Sequence, residues 1–374
     1  MIGVLLKGTL STIVSKAMNE QSSEGEKYHH PYLQAASMFV GESICYGLFR
    51  LYSFVSKSKN KVTPLSPSKN LENNVYSKLG NFIFFFPAFF HLIASTISFI
   101  GLVFIAPSIY QMMKGFIVVI VAISSVLFLK KKIYRHQVLG CVLITLGIII
   151  VGIVSIIYKA SSASNPILGA GLVLFAQLFM GAMLITEELF FRKITIEPFH
   201  AQGIEGICGL VSYMFLLPVL NALPCTQAFC NNGFVENSLF AFKQIYANTL
   251  LATIVFSMIG VVAMFNWTGI AITKYTSSLA RSTLKTTNAV FVWVVSIFLG
   301  WENFLWQQLI GFLILVSGTL IYNEILIIPL WGFKQAAYKR KAEKEKVNLL
   351  MVSEMQVFRN SSAFWSAEDH SSFL

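Results

Sequence analysis

The sequence predicts an all-α polytopic membrane protein with ten transmembrane helices arranged as two five-helix inverted-topology repeats. Three observations carry that prediction. Of the 374 residues, 55% are hydrophobic and only 12% are charged, where soluble domains run at roughly a quarter charged. The apolar residues gather in ten runs long enough to cross a hydrocarbon core. The second half of the chain also repeats polar positions of the first.

The runs cover residues 2–18, 31–55, 80–105, 108–129, 136–158, 166–191, 199–220, 246–272, 276–300 and 304–328. A helical span needs about 20 apolar residues. Backbone amides in lipid must be satisfied within the segment, which makes each run a helix. A closed barrel is excluded, because the runs are too long and do not alternate. The first run resembles a signal peptide in position only. Lys7 and Lys16 interrupt it and no clean small-residue cleavage site follows.

Loop charges then set the orientation. Lys57, Lys59, Lys61, Lys69 and Lys78 follow the second run, and Lys130, Lys131, Lys132 and Arg135 follow the fourth. Arg192 and Lys193 follow the sixth, Lys274 the eighth, and Lys334, Lys339, Arg340 and Lys341 the tenth. The alternate loops are poor in net positive charge. One-sided basic loops face the cytosol, so both termini are expected there. An even number of spans agrees with that parity. The same clustering explains the net charge of +11 without a nucleic-acid partner. The basic residues contact membrane lipid, as Lys339–Lys341 would at an anionic surface.

The repeat is read from matched polar positions. An offset of 171 residues pairs Lys114 with Lys285, Ser125 with Ser296, Gln137 with Gln308, Gly140 with Gly311, and Gly147 with Gly318. Earlier in each half, Glu42-Ser-Ile-Cys45 matches Glu205-Gly-Ile-Cys208. The halves are residues 1–160 and 161–330, followed by a basic tail at 331–374 expected to be disordered and cytosolic. Five spans per half force the second half to insert upside down, which places a binding site at the repeat interface near the midplane.

Ionisable groups in a bilayer are costly and face a cavity or a partner. Glu42, Lys114, Glu205 and Lys285 are therefore expected to line a central polar cavity that binds a small-molecule substrate. Gln111, Gln177, Glu188, Asn266 and Asn288 are expected to add polar contacts there. Glu187 and Arg281, nearer the span ends, read as snorkelling side chains. Interhelical pairing is the alternative for all these charges.

Of five cysteines, Cys225 and Cys230 fall in the loop after span seven, on the non-cytosolic side. That compartment permits a disulfide between them; two free thiols are the other reading. No CxxC, HExxH, GxSxG or phosphate-binding loop occurs. The one aspartate, Asp369, lies in the tail. No metal, no cofactor and no enzymatic activity are expected. In the tail, Glu345-Lys-Val-Asn-Leu349-Leu350 has the form of an acidic dileucine sorting signal that an adaptor would read for lysosomal delivery.

Several stretches carry a resemblance. They are His30-Pro-Tyr-Leu-Gln-Ala35 with Met38-Phe-Val-Gly-Glu42, Tyr110-Gln-Met-Met-Lys-Gly115, Glu187-Glu188, and Gly203-Ile-Glu-Gly206. Phe265-Asn-Trp-Thr-Gly-Ile270, Gly300-Trp-Glu302 and Gly318-Thr-Leu-Ile-Tyr-Asn323 complete the set. Together they resemble the drug/metabolite transporter superfamily, in its solute carrier 35 F subgroup. The resemblance covers all ten spans. It implies five-plus-five inverted repeats and an endomembrane location, lysosomes included. The chain is also similar to the chloroquine resistance transporters, in which a lysine near the end of the first span influences substrate choice. By that resemblance Lys16 joins the substrate-binding candidates. The chain starts almost inside its first span, where such relatives often have a longer amino-terminal segment.

The expectation is a secondary transporter of small organic solutes working by alternating access, with a proton carried by Glu42 or Glu205 if the compartment is acidic. A non-transporting membrane receptor or interaction protein is the alternative function. A nucleotide-sugar is the alternative substrate class.

Overall fold

A computed structural model describes residues 2–59, 80–157, 165–193, 196–225, 233–301, 304–322 and 326. Apart from short connections, a two-residue-per-strand hairpin and an isolated Pro224–Phe234 bridge, the described chain is helical, as the demand for internal backbone hydrogen bonds in lipid requires. In chain order the helices are α1 (Ile2–Glu20), α2 (Pro31–Lys59), α3 (Phe85–Phe104), α4 (Pro107–Lys114) and α5 (Ile117–Leu129). There follow α6 (Arg135–Ile157), α7 (Pro166–Lys193), α8 (Pro198–Ala222), α9 (Ser238–Ala247), α10 (Thr249–Tyr275), α11 (Ser278–Phe298) and α12 (Trp306–Tyr322). The strands β1 (Ser22–Ser23) and β2 (Glu26–Lys27) pair antiparallel between α1 and α2. Their two-residue turn takes Glu24 and Gly25 to φ values of 56° and 83°, the left-handed region that tight hairpin turns require.

Six helical stretches are long and apolar enough to cross a membrane: Phe82–Phe104, Ile109–Leu129, Arg135–Val154, Pro166–Arg192, Pro198–Ala222 and Thr249–Tyr275. Large apolar side chains such as Phe54, Phe82, Leu127, Phe128, Phe215, Phe256 and Phe298 stand exposed around the bundle. This is an all-α, multi-pass membrane protein, and that apolar belt is its lipid face. The long helices α1, α2 and α11 fall short of the hydropathy of the six. They carry Lys16, Glu42, and Arg281 with Lys285, together with many hydroxyls.

Helix termini follow local rules. Pro107 and Pro198 open α4 and α8 at the first turn, where a missing N–H costs nothing. The Asn248 side chain caps α10 by accepting from the amides of Leu250 and Leu251, and Ser277 caps α11 through Ala280 N. The expected fourth span is two helices, broken at Gly115–Phe116. The expected loop before the eighth span contains α9, whose first turn is capped by Asn237.

The helices pack in a regular scheme. The most extensive pairings are α6 with α12, α3 with α7, α2 with α8, and α1 with α10; α4 packs on α11. Small residues permit the closest approach. On the α6–α12 seam, a Cβ on Gly147 would fall 2.8 Å from the Gly311 carbonyl oxygen, and one on Gly140 would fall 2.9 Å from that of Gly318. Gly140 and Gly147 are the 171-residue equivalents of Gly311 and Gly318, and they meet in crossed order. Lys114 and Lys285, also equivalents, sit on the paired helices α4 and α11. Gln137, Gln308, Ser125 and Ser296 are all buried.

Candidate functional site

A cavity of about 70 Å³ lies where helices of the two halves meet. The first half contributes Gly8, Ser11, Thr12 and Ser15 from α1, Met38 from α2, and His91, Ser95, Ser98 and Phe99 from α3. Tyr110, Gln111 and Lys114 come from α4. The second half contributes Met180 from α7, Val262, Phe265 and Asn266 from α10, and Lys285 and Asn288 from α11. Serines and threonines at helical spacing put one hydroxyl stripe of α1 and one of α3 on the cavity wall. Several return a hydrogen bond to their own helix, such as Ser15 Oγ to Ser11 O at 2.7 Å and Ser95 Oγ to His91 O.

Of the ten polar residues expected here, five line the cavity: Gln111, Lys114, Asn266, Lys285 and Asn288. The Lys114 ammonium lies 3.1 Å from the Tyr110 hydroxyl and 4.4 Å from that ring's centroid, a cation–π contact. The Lys285 ammonium sits 3.6 Å from Met180 Sδ. Asn288 is 1% exposed, and both its side-chain polar atoms lack a hydrogen-bond partner.

The other five are placed elsewhere. Glu42 is fully buried directly behind the wall. Its Oε1 accepts from Asn266 Nδ2 at 2.5 Å, and its Oε2 lies 3.8 Å from His91 Nδ1. The α2–α8 crossing is close here: a Cβ on Gly206 would fall 2.4 Å from Ser43 N and 2.6 Å from Glu42 Cβ. Glu205, one residue earlier on α8, is fully buried, and neither carboxylate oxygen has a hydrogen-bond partner. Gln177 bonds back to Val173 O at 3.1 Å on α7. The Lys16 ammonium reaches the carbonyls of Leu102 and Ile105 at the C-terminal end of α3, and Glu20 at 3.4 Å. A cation is favourable there because those carbonyls lack helical partners and carry the negative end of the helix dipole.

Glu188 ties three elements together at one end of the bundle. Its Oε1 receives Lys131 at 2.6 Å and Arg192 at 2.8 Å, and its Oε2 accepts from the amide and hydroxyl of Ser278 at the start of α11. Beside it, Arg281 of α11 pairs with Glu187 of α7 and reaches Thr273 Oγ1 at 3.3 Å. Glu187 and Arg281 are 0% and 2% exposed, so they do not snorkel. Each neutralises the other inside the bundle, which removes the drive to reach the headgroups.

The opposite end has its own ties. His30 pairs with Glu236, both buried. Ser23 and Gln244 exchange two hydrogen bonds of 2.9 and 3.0 Å, and Lys243 meets Glu24 at 2.9 Å. The helix α9 thus holds the α1–α2 hairpin. Cys45, Cys141 and Cys208 are free thiols. Cys230 lies outside the described residues, as do Glu345, Leu349 and Leu350 of the tail signal. Among the described residues no group of His, Cys, Asp or Glu has a geometry that could hold a metal.

The hydroxyl stripes and Tyr110 were missed from the sequence. Ser11 and Ser15, and Ser95 and Ser98, recur at helical spacing inside apolar runs, and that spacing was the available signal.

Comparisons with known proteins agree with this architecture. The sequence pattern of the CRT-like family (chloroquine-resistance transporter-like) matches residues 65–238. Solute carrier family 35 member F6 of Mus musculus is 31% identical over 360 residues, covering 92% of this chain and 93% of that one. The protein of the same name from Rattus norvegicus is 32% identical over 335 residues, covering 86% and 87%. An uncharacterized protein of Schizosaccharomyces pombe is 28% identical over 340 residues, covering 87% and 97%. One crystal structure superposes with a TM-score of 0.51 at 12% identity, over 87% of this chain and 99% of that one, a likeness of fold alone.

Proposed function

The chain belongs to the solute carrier family 35 member F6 family, related to the CRT-like transporters, and from that premise we propose that this membrane transporter carries small organic solutes across an endomembrane by alternating access. The observation that carries the reading is the central cavity, which takes its wall from both halves of the chain while separate polar ties between the halves hold each end of the bundle, Lys131–Glu188 at one and His30–Glu236 at the other. Rocking one half against the other would break one set of ties and keep the other, exposing the same cavity to each side in turn.

In this reading the chain crosses the membrane ten times as two inverted five-helix repeats, residues 1–160 and 161–330. The packing scheme supports it. If each helix is exchanged for its counterpart five spans on, α6–α12, α2–α8 and α4–α11 map onto themselves, and α3–α7 maps onto α1–α10. Both termini then face the cytosol. The Glu187–Arg281 and Glu188–Lys131 ties lie at the cytosolic end, and the His30–Glu236 tie lies at the lumenal end. A Cys225–Cys230 disulfide fits that lumenal loop. The Glu345, Leu349 and Leu350 signal would direct the chain to lysosomes through a sorting adaptor, and alanines at both leucines would redistribute it to the cell surface.

Within this mechanism Glu42 and Glu205 are the proton carriers. Both are buried carboxyl groups at the α2–α8 crossing, Glu42 touches the cavity wall through Asn266, and Glu205 has no hydrogen-bond partner. Flux in liposomes over solutes of different charge, with and without an inward-acid gradient, tests the function. Gradient-driven, saturable flux supports it, and no flux by folded protein overturns it.

A further inference from the structure

We propose that the cavity is an organic-anion site, in which the carboxylate of a small solute sits between Lys114 and Lys285 while its apolar part rests on Phe99 and Phe265. This rests on the transporter reading of the same cavity and adds the charge of what is carried.

The first argument is a separation of charge across the cavity wall. The lining holds two lysine side chains and, among the described residues, no carboxylate. Glu205 is buried at the α2–α8 crossing, outside the lining, and three other acids are held by partners. Glu42 is screened by Asn266, Glu187 is taken by Arg281, and Glu188 by Lys131, Arg192 and Ser278. Among the described residues neither Lys114 nor Lys285 has an ion pair. Their nearest contacts are a phenol hydroxyl and a thioether. An ammonium in a membrane interior is expensive without a partner, and here the partner is left for a ligand to supply.

Unpartnered polar groups point the same way. Asn288 is 1% exposed with both side-chain polar atoms unbonded, and the Ser98 hydroxyl, 2% exposed, is also unbonded. Both line the cavity. An amide N–H and a hydroxyl are donors suited to a carboxylate. A cationic solute would meet two like charges with no lining acid to offset them.

Repeat symmetry is the third argument. Lys114 and Lys285 are equivalents in the two halves and stand on the packed pair α4 and α11. An anion between them is held once from each half. When the halves rock, each lysine travels with its own half, so the charge remains neutralised in either opening. The present cavity of about 70 Å³ is small beside the roughly 300–1,000 Å³ of sites for drug-sized ligands. It suits a short carboxylic acid better than a nucleotide-sugar.

The test uses the purified full-length protein in detergent and two matched sets of probes: benzoate, benzamide and benzylamine, and succinate, succinamide and 1,4-diaminobutane. Thermal unfolding should show the acids raising Tm by a few degrees, and the amides and amines leaving it unchanged. Lys114→Gln and Lys285→Gln should each weaken the acid effect about ten- to a hundred-fold, and Lys114→Arg and Lys285→Arg should retain most of it. Stabilisation by an amine, an acid effect that survives in both glutamine variants, or no acid effect in the unaltered protein each overturns the proposal. The comparison of acid, amide and amine needs no variant to fold. The same probes in liposomes separate the two readings. Flux of an amide or amine alone sinks the anion site and leaves transport standing. Acid binding with no flux of any probe sinks transport and leaves the site.

Discussion

Arg281 on α11 and Glu187 on α7 form an ion pair closed off from solvent, one helical turn from the cavity lysine Lys285. The helix that presents Lys285 to the cavity is thereby pinned to α7 at its N-terminal end. A pair of this kind has an asymmetric energetics. Removing one partner strands a buried charge, whereas replacing both leaves an apolar contact.

Arg281→Met alone should therefore cost about 3–5 kcal/mol of stability, while Arg281→Met with Glu187→Leu should recover most of it. Thermal unfolding of the two variants beside the unaltered protein checks this. Equal losses in both would mean that the pair is solvated.

Glu188 is different, because its partners Lys131 and Arg192 are partly exposed to solvent. Glu188→Gln should lower stability by only about 1 kcal/mol, yet loosen the junction of α7, α11 and the loop after α5. The expected readout is faster alkylation, from the membrane side at which Glu188 lies, of a cysteine placed at Ser95 in a background without other thiols. Unchanged alkylation would mean that the Glu188 ties do not hold this end closed.

The α6–α12 seam should tolerate no added side chain. Gly311→Leu would drive its Cβ to 2.6 Å from Val151 Cγ2 and 3.2 Å from Gly147 O, and should abolish the folded monodisperse species in size-exclusion chromatography. Gly260, with no atom within 4 Å of an added Cβ, is the control. Gly260→Ala should leave stability unchanged or raise it by about 1 kcal/mol, the helix-propensity gain.

Glu42→Gln should keep the hydrogen bond to Asn266 and the fold, because the amide oxygen replaces Oε1. In the proton-coupled reading it should remove the dependence of uptake on an acid gradient. Full folding with unchanged gradient-driven uptake would exclude Glu42 as the carrier.

How much of this was legible in the sequence depends on which force sets each feature. Lipid demands long apolar runs, and the runs recovered the long helices. The helix α9 was not legible, because ten residues held by Asn237 and by Gln244 against the hairpin need no spanning length. The break at Gly115–Phe116 directly follows Lys114, but one glycine inside a run of spanning length does not by itself end a helix. In the site, Lys114, Lys285, Gln111, Asn266 and Asn288 stood out as costly polar groups in spans, and the structure brings them together. The same cost argument could not tell a cavity from a partner. Glu187, Glu188 and Lys16 solve the problem with partners on other helices or on the end of α3, and such contacts are set by tertiary packing. Lys16 and Glu20, four residues apart, did carry a local pairing signal.

The central claim is that a solute passes through the cavity between the two halves. The most direct test is saturable flux in liposomes by the purified protein, measured with and without an inward-acid gradient, beside Lys285→Gln. The account predicts gradient-dependent flux of a small solute that falls at least about ten-fold in the variant. Flux that the variant leaves intact, or no flux of any solute by folded protein, would contradict it.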